Sequence, residues 1–218
     1  MFDFGNANES QRQAIETTDG PVLITAGPGT GKTFTLVQRA LYLIQERRVH
    51  PEEIMLATFT EKASKELITR ITNELATKGI VANINEMYIG TFHSLCLRII
   101  KEHLEYTRLK KNFRTLDQFD QSYTVFQNIY RFREIQNFDT VVSSQGAWKQ
   151  AGEICGLINN LSEELIRPDD LLDDSDVRIA ALGAVLKVYQ ELLEENNLMD
   201  FSAIQTEAYR LLTNYSEM

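Results

Sequence analysis

The sequence predicts an α/β protein in which a doubly wound parallel sheet carries helices on both faces and is joined to a mostly helical block. Three observations lead there. In the first half, short apolar runs bounded by Pro and Gly alternate with stretches of helical periodicity. A glycine-rich turn links the first of these runs to a helix. Near residue 115 both rhythm and charge change: residues 1–115 hold 15 Lys/Arg against 13 Asp/Glu, and residues 116–218 hold 7 against 18.

The elements follow in order. Asn8 is a helix cap with Gln11 three residues on, a capping-box relation that starts a helix ending near Thr17. Asp19-Gly20-Pro21 is a turn. Val22-Leu23-Ile24-Thr25-Ala26 reads as a buried parallel strand. A helix is expected from Gly31 to about Arg48, stopped by His50-Pro51. Ile54 to Thr58 is the second strand, and Thr60 caps a helix from Glu61 to about Lys78. Met87 to Thr91 is the third strand, followed by a helix from Phe92 to Glu105. Such strand–helix alternation implies right-handed crossovers, with ligands gathering at the carboxyl ends of the strands. Those ends are Ala26–Thr33, Thr58–Lys62 and Thr91–Ser94. Beyond residue 115, helical spacing covers Phe119–Ile135, Ala147–Leu161, Asp169–Leu172 and Val177–Leu193.

Composition narrows the class. Apolar residues make up 43% and charged residues 24% of the 218, as in ordinary globular proteins. Cys96 and Cys155 lie far apart in apolar runs, which predicts two buried free thiols suited to a reducing compartment. No Cys/His spacing suggests a metal cluster. The first residues lack the pattern of a secretory signal, and no apolar run reaches membrane-spanning length. A cytoplasmic protein without a membrane partner is expected. The net charge of −9 argues against a nucleic-acid partner, yet Arg98 to Arg114 gathers six basic residues against Glu102 and Glu105. A local basic face can still meet phosphates.

The window Ala26-Gly27-Pro28-Gly29-Thr30-Gly31-Lys32-Thr33 fits the phosphate-loop pattern G-x-x-x-x-G-K-S/T, with Ala26 in the first position. Its glycines let backbone N–H groups turn around an anion, and the following helix adds its dipole. Lys32 is placed for the β- and γ-phosphates, and the Thr33 hydroxyl for Mg2+. No guanine-reading N-K-x-D is present.

Asn8-Glu9-Ser10-Gln11, the phosphate loop, Thr58-Phe59-Thr60-Glu61-Lys62-Ala63-Ser64 and Thr91-Phe92-His93-Ser94 stand in this order, and Leu198-Met199-Asp200-Phe201 follows later. Together they resemble the amino-terminal motifs of superfamily 1 DNA helicases of the UvrD/Rep/PcrA kind. The resemblance implies a RecA-like P-loop NTPase core that binds ATP and Mg2+ and works on single-stranded DNA. It implies that residues 1–114 are the first part of that core, 115–197 an inserted helical subdomain, and 198–218 a return to the core. Gln11 would read adenine, with helix capping as the alternative. Ala26 to Phe34 would hold the nucleotide. Thr58, Phe59, Thr60, Lys62, Thr91, His93 and Phe201 would meet the DNA strand. For Phe59, His93 and Phe201 the alternative is packing, and for Lys62 a solvated charge. Three positions depart from the resemblance: Phe34 stands where Arg is common, Glu61 where Asn is common, and Ala7 where Leu is usual.

No run of apolar residues followed by Asp-Glu is found. Arg167-Pro168-Asp169-Asp170 and Leu171-Leu172-Asp173-Asp174 have too short an apolar lead. The resemblance implies that the acid that shares Mg2+ and the arginines that close the site lie beyond residue 218, and the chain is expected to be an amino-terminal fragment without efficient ATP turnover. Three other readings share parts of these motifs: a motor subunit of a helicase–nuclease complex, a stand-alone ATP/DNA-binding module, and a small-molecule kinase.

Overall fold

A computed structural model describes residues 2–215. The chain divides into two compact units, Met1–Leu95 and Cys96–Met218. The division falls inside a helix, about one helix upstream of the composition shift.

In the first unit, α1 (Glu9–Glu16) starts from the predicted capping box: Gln11 N–H donates to Asn8 Oδ1 at 2.9 Å, and Asn8 N–H donates to Gln11 Oε1 at 2.9 Å. α2 spans Lys32–Gln45 and turns Val37, Ala40 and Leu41 into the core. β1 (Met55–Thr58) leads to α3 (Glu61–Lys78), capped by Thr60 at its start and ended by Gly79 at φ 63°. β2 (Tyr88–Thr91) then pairs in parallel with β1, setting Thr58 opposite Thr91. Ile15, Leu41, Ile54, Leu67, Ile71, Leu75 and Met87 close one apolar core between these elements. Burying side chains of this size contributes about 1.5–3 kcal/mol each. α4 (Phe92–Glu102) crosses the division between the units.

The expected strand at Val22–Ala26 does not form. The segment belongs to no strand among the described residues, and Leu23 is 89% exposed. A strand exists only through a ladder partner, and the backbone groups of Val22–Ala26 make no ladder bond among the described residues. The apolar run announces burial, but nothing described here supplies the neighbour that would bury it. The sheet of the first unit accordingly has two described strands, parallel as expected.

In the second unit, β3 (Arg114–Thr115) pairs in parallel with β4 (Leu198–Met199). This brings both ends of the helical block side by side. Between them lie α5 (Gln118–Gln127), α6 (Ile129–Arg133), α7 (Phe138–Val141), α8 (Ala147–Glu163) and α9 (Val177–Glu195), and α10 (Phe201–Asn214) follows β4. Phe132, Val125, Ile154, Ile158, Val185, Leu186, Tyr189 and Leu192 form the core. The expected helix over Phe119–Ile135 is split at Asn128, whose φ is −111° and whose Nδ2 donates to Thr124 O at 2.9 Å. That side chain competes with the helix for the carbonyl of the preceding turn. Helix α4 stops short of Glu105 because His103 leaves the helical region at φ −123°, ψ 37°. Asp169–Leu172 contains only a single 3-10 turn, Pro168–Asp170. Among the described residues no helix is long and apolar enough to cross a membrane.

Candidate nucleotide and nucleic-acid site

Residues Pro21 to Thr30 form an exposed loop, and α2 begins where it ends. Gly29 and Gly31 hold φ values of 77° and 83°, in the left-handed region that favours glycine. At Gly31 space matters as well: a Cβ would stand 2.8 Å from Gln11 Nε2. Thr30 Oγ1 donates to Gly27 O at 2.8 Å, folding the loop back on itself. The Lys32 ammonium lies inside the curl and donates to Ala26 O at 3.1 Å and Gly27 O at 2.9 Å. As helix cap, Gly31 supplies no side-chain acceptor, and the backbone N–H groups of Lys32, Thr33 and Phe34 find no acceptor among the described residues. A helix start of this kind favours an anion. Pro28 and Thr33 are exposed, and the Thr33 hydroxyl makes no hydrogen bond to another described residue. Phe34 is half-buried and packs against the core of the first unit.

Gln11 links the two sequence motifs of this region. Its Nε2 donates to Thr30 O at 3.1 Å while its Oε1 is held by the α1 cap. Capping and contact with the loop therefore occur in one side chain.

A second group of residues gathers at the carboxyl ends of β1 and β2. Thr58 Oγ1 contacts Ser64 Oγ and donates to Thr60 O at 3.1 Å. Thr60 Oγ1 accepts Ala63 N–H at 3.1 Å. Across the sheet, Thr91 Oγ1 donates to Glu61 Oε1 at 3.2 Å and accepts Ser94 N–H at 3.2 Å. Glu61 thus ties the start of α3 to the end of β2. Gly90 is required here by close approach, because a Cβ on it would collide with Ser94 Oγ. Phe59 is fully exposed after β1, and Phe92, next to Thr91, is 60% exposed. Among the described residues nothing packs over the Phe59 ring. Lys62 is exposed and His93 half-buried.

Phe201 opens α10 in the second unit, 52% exposed, next to Asp200. Asp200 is 3% exposed and was not among the residues expected to matter. Its Oδ1 accepts Ala203 N–H at 2.7 Å, and its Oδ2 accepts from Tyr189 OH and, at 3.1 Å, from Gln121 Nε2. Gln121 also donates to Asn159 Oδ1 at 2.9 Å. Burial and the facing Asp200 push the Tyr189 hydroxyl well above the usual tyrosine range. Only the capping position of Asp200 before an apolar helix was visible in sequence, since its other partners lie up to 79 residues away. Ser64 and Ser94 were also missed. Their signal was helical spacing, Ser64 standing one turn after Thr60 and Ser94 three residues after Thr91. Cys96 and Cys155 are buried free thiols, and burial pushes Cys155 up to about 11.

The chain matches the UvrD/REP helicase N-terminal domain family over residues 7–218. It is 32% identical over 197 residues to an ATP-dependent DNA helicase PcrA of Staphylococcus epidermidis, which covers 90% of this chain and 25% of that protein. It is 33% identical over 204 residues to a DNA helicase II of Haemophilus influenzae, covering 94% of this chain and 26% of the other. A Staphylococcus aureus PcrA helicase is 31% identical over 195 residues, 89% of this chain and 25% of its own length. The chain spans about a quarter of the length of these relatives. This match extends over nearly the whole sequence, and the chain belongs to the UvrD/REP helicase N-terminal domain family.

Proposed function

We propose that this chain is the ATP- and single-stranded-DNA-binding amino-terminal part of a helicase or translocase that moves on DNA in repair, replication or recombination. The observation that carries the ATP reading is the curled loop around Lys32. Its ammonium bonds two loop carbonyls, and the N–H groups at the start of α2 have no acceptor among the described residues. A triphosphate entering the curl takes over the Lys32 charge and meets those N–H groups. Gln11, already joined to Thr30, stands beside the loop with an amide of the kind that reads adenine.

Mg2+ fits the residues present in one respect: Thr33 offers a hydroxyl without a hydrogen-bond partner among the described residues. Among the described residues no group of three His, Cys, Asp or Glu is placed to hold a metal. Mg2+ would therefore be held by Thr33 together with phosphate oxygens, and it would supply charge neutralisation at those oxygens. The chain alone is proposed to bind ATP without efficient turnover. Thr58, Phe59, Thr60, Lys62, Thr91 and His93 form the proposed edge for the DNA strand, with Phe59 as a stacking face. Phe201 is proposed as a further contact from the second unit.

The test is binding of a fluorescent ATP analogue to the 218-residue chain, with GTP as competitor. Saturable binding, weakened by Lys32→Ala and resisted poorly by GTP, is expected. Equal affinity of the Lys32→Ala variant, or DNA-stimulated hydrolysis at helicase-like rates, overturns the reading.

A further inference from the structure

An aromatic surface on the helical block takes no part in the site above. Phe119, Tyr123 and Phe126 lie at successive turns of α5, and Trp148 stands in the first turn of α8. They are 64%, 44%, 36% and 46% exposed. The ring centroids form a continuous chain: Phe119 to Tyr123 at 6.2 Å, Tyr123 to Phe126 at 6.3 Å, and Trp148 to Phe119 at 5.9 Å and to Phe126 at 5.5 Å. The exposed aromatic area is on the order of 400 Å², within the size range of functional patches.

Two further observations say what would cover it. Along α8 from Trp148, Gly152 and Gly156 follow at successive turns, both exposed, and a Cβ at either would meet nothing within 4 Å. Glycine within a helix is destabilising relative to alanine. Two of them one turn apart, with open space above, form a shelf on which another backbone can approach closely. The charge around the patch is acidic on balance: Asp117 and Asp120 flank Phe119, Lys149 stands beside Trp148, Arg133 bonds Gln150 on α8, and residues 116–218 carry 7 basic against 18 acidic side chains. That field disfavours a phosphate backbone and attracts Lys and Arg, whose cationic groups also sit well over aromatic faces.

We propose that this surface is a docking site for a basic amphipathic helix of a protein partner. The apolar face of that helix covers the aromatic rings, its backbone lies along Gly152 and Gly156, and its lysines or arginines meet Asp117 and Asp120.

Trp148 is the single tryptophan of the chain, so its emission reports on this surface directly. The experiment titrates the chain with a synthetic leucine–lysine amphipathic peptide, with its leucine–glutamate counterpart and with oligothymidine. A saturable blue shift of Trp148 emission with the lysine peptide only is expected. Gly152→Leu, which fills open space and leaves the core untouched, and Phe119→Ser should each weaken it at least ~10-fold with unchanged circular dichroism. Four results overturn the proposal: equal binding of the glutamate peptide, undiminished binding by Gly152→Leu, tighter binding of oligothymidine at Trp148, or a blue shift caused by self-association of the chain without peptide.

Discussion

Replacing Gly90 by Ala tests how tightly the two strand ends are built. Gly90 lies in β2, and the added Cβ would collide with Ser94 Oγ while standing 3.5 Å from Ser94 Cβ and 3.6 Å from Leu95 Cδ2. Two routes relieve the clash. Ser94 can rotate, losing the bond from its hydroxyl to Thr91 O at 2.9 Å, which costs about 1 kcal/mol. Alternatively the first turn of α4 shifts, an overpacking change that costs about 1–3 kcal/mol. The cheaper route wins, so Gly90→Ala should destabilise by about 1–2 kcal/mol. In a chain of this size that lowers the melting temperature by roughly 2–8 °C. The assay is thermal and urea unfolding of four proteins: the parent, Gly90→Ala, Ser94→Ala and the double variant. Ser94→Ala alone should lose about 1 kcal/mol, and in the Gly90→Ala background it should cost nothing further, a coupling of about 1 kcal/mol. Additive losses, or a Gly90→Ala variant as stable as the parent, would refute the steric account.

Four other perturbations have defined outcomes. Lys32→Ala should remove most ATP affinity while stability stays within about 0.5 kcal/mol, because the side chain is exposed; calorimetric binding and unfolding measure the two separately. Phe59→Ala should leave the melting temperature unchanged, the ring being fully exposed, and weaken oligothymidine binding by about 1–3 kcal/mol in fluorescence anisotropy. Asp200→Ala should destabilise the second unit by about 2–4 kcal/mol, since it removes a helix cap and leaves the buried Tyr189 hydroxyl without its acceptor; urea denaturation reads it. Cys155 is protonated in the folded chain up to about 11, against 9.0 for an ordinary thiol. The unfolded chain therefore gives up this proton first, and the contribution to stability present below pH 9 is lost between about pH 9 and 11, visible as falling urea midpoints whose fall starts at higher pH in Cys155→Ala, where the raised Tyr189 hydroxyl still acts.

Local chemistry was the legible part of this sequence. Asn8 with Gln11, and Thr60 with Gly79, mark helix ends through their own hydrogen-bonding and φ preferences, and both helices begin where those residues place them. The backbone of the glycine-rich loop was equally readable, because Gly29 and Gly31 hold positive φ values that glycine accommodates. Val22–Ala26 was misread because an apolar run states only that it seeks burial, and a strand needs a neighbour that the run cannot supply. Asn128 breaks a helix whose apolar spacing continues through it, so periodicity hid the break. Asp200, Tyr189 and Gln121 come together from three distant stretches, and no spacing rule announces such a meeting. Glu61, a departure from the resemblance, joins the start of α3 to the end of β2 through Thr91, a contact its sequence neighbours do not announce.

The pairing of Arg114–Thr115 with Leu198–Met199 has a consequence for how the block between them can be altered. The two strands run parallel, so no tight turn can replace what lies between; a parallel pair needs a crossover of about a dozen residues. The helical block is in this sense an enlarged crossover. Closing a connection of that length costs only about 2 kcal/mol more in chain entropy than closing a minimal one, because the cost grows with the logarithm of length. The block can therefore lengthen, shorten or be exchanged for another folded unit, provided its two ends leave and return pointing the same way.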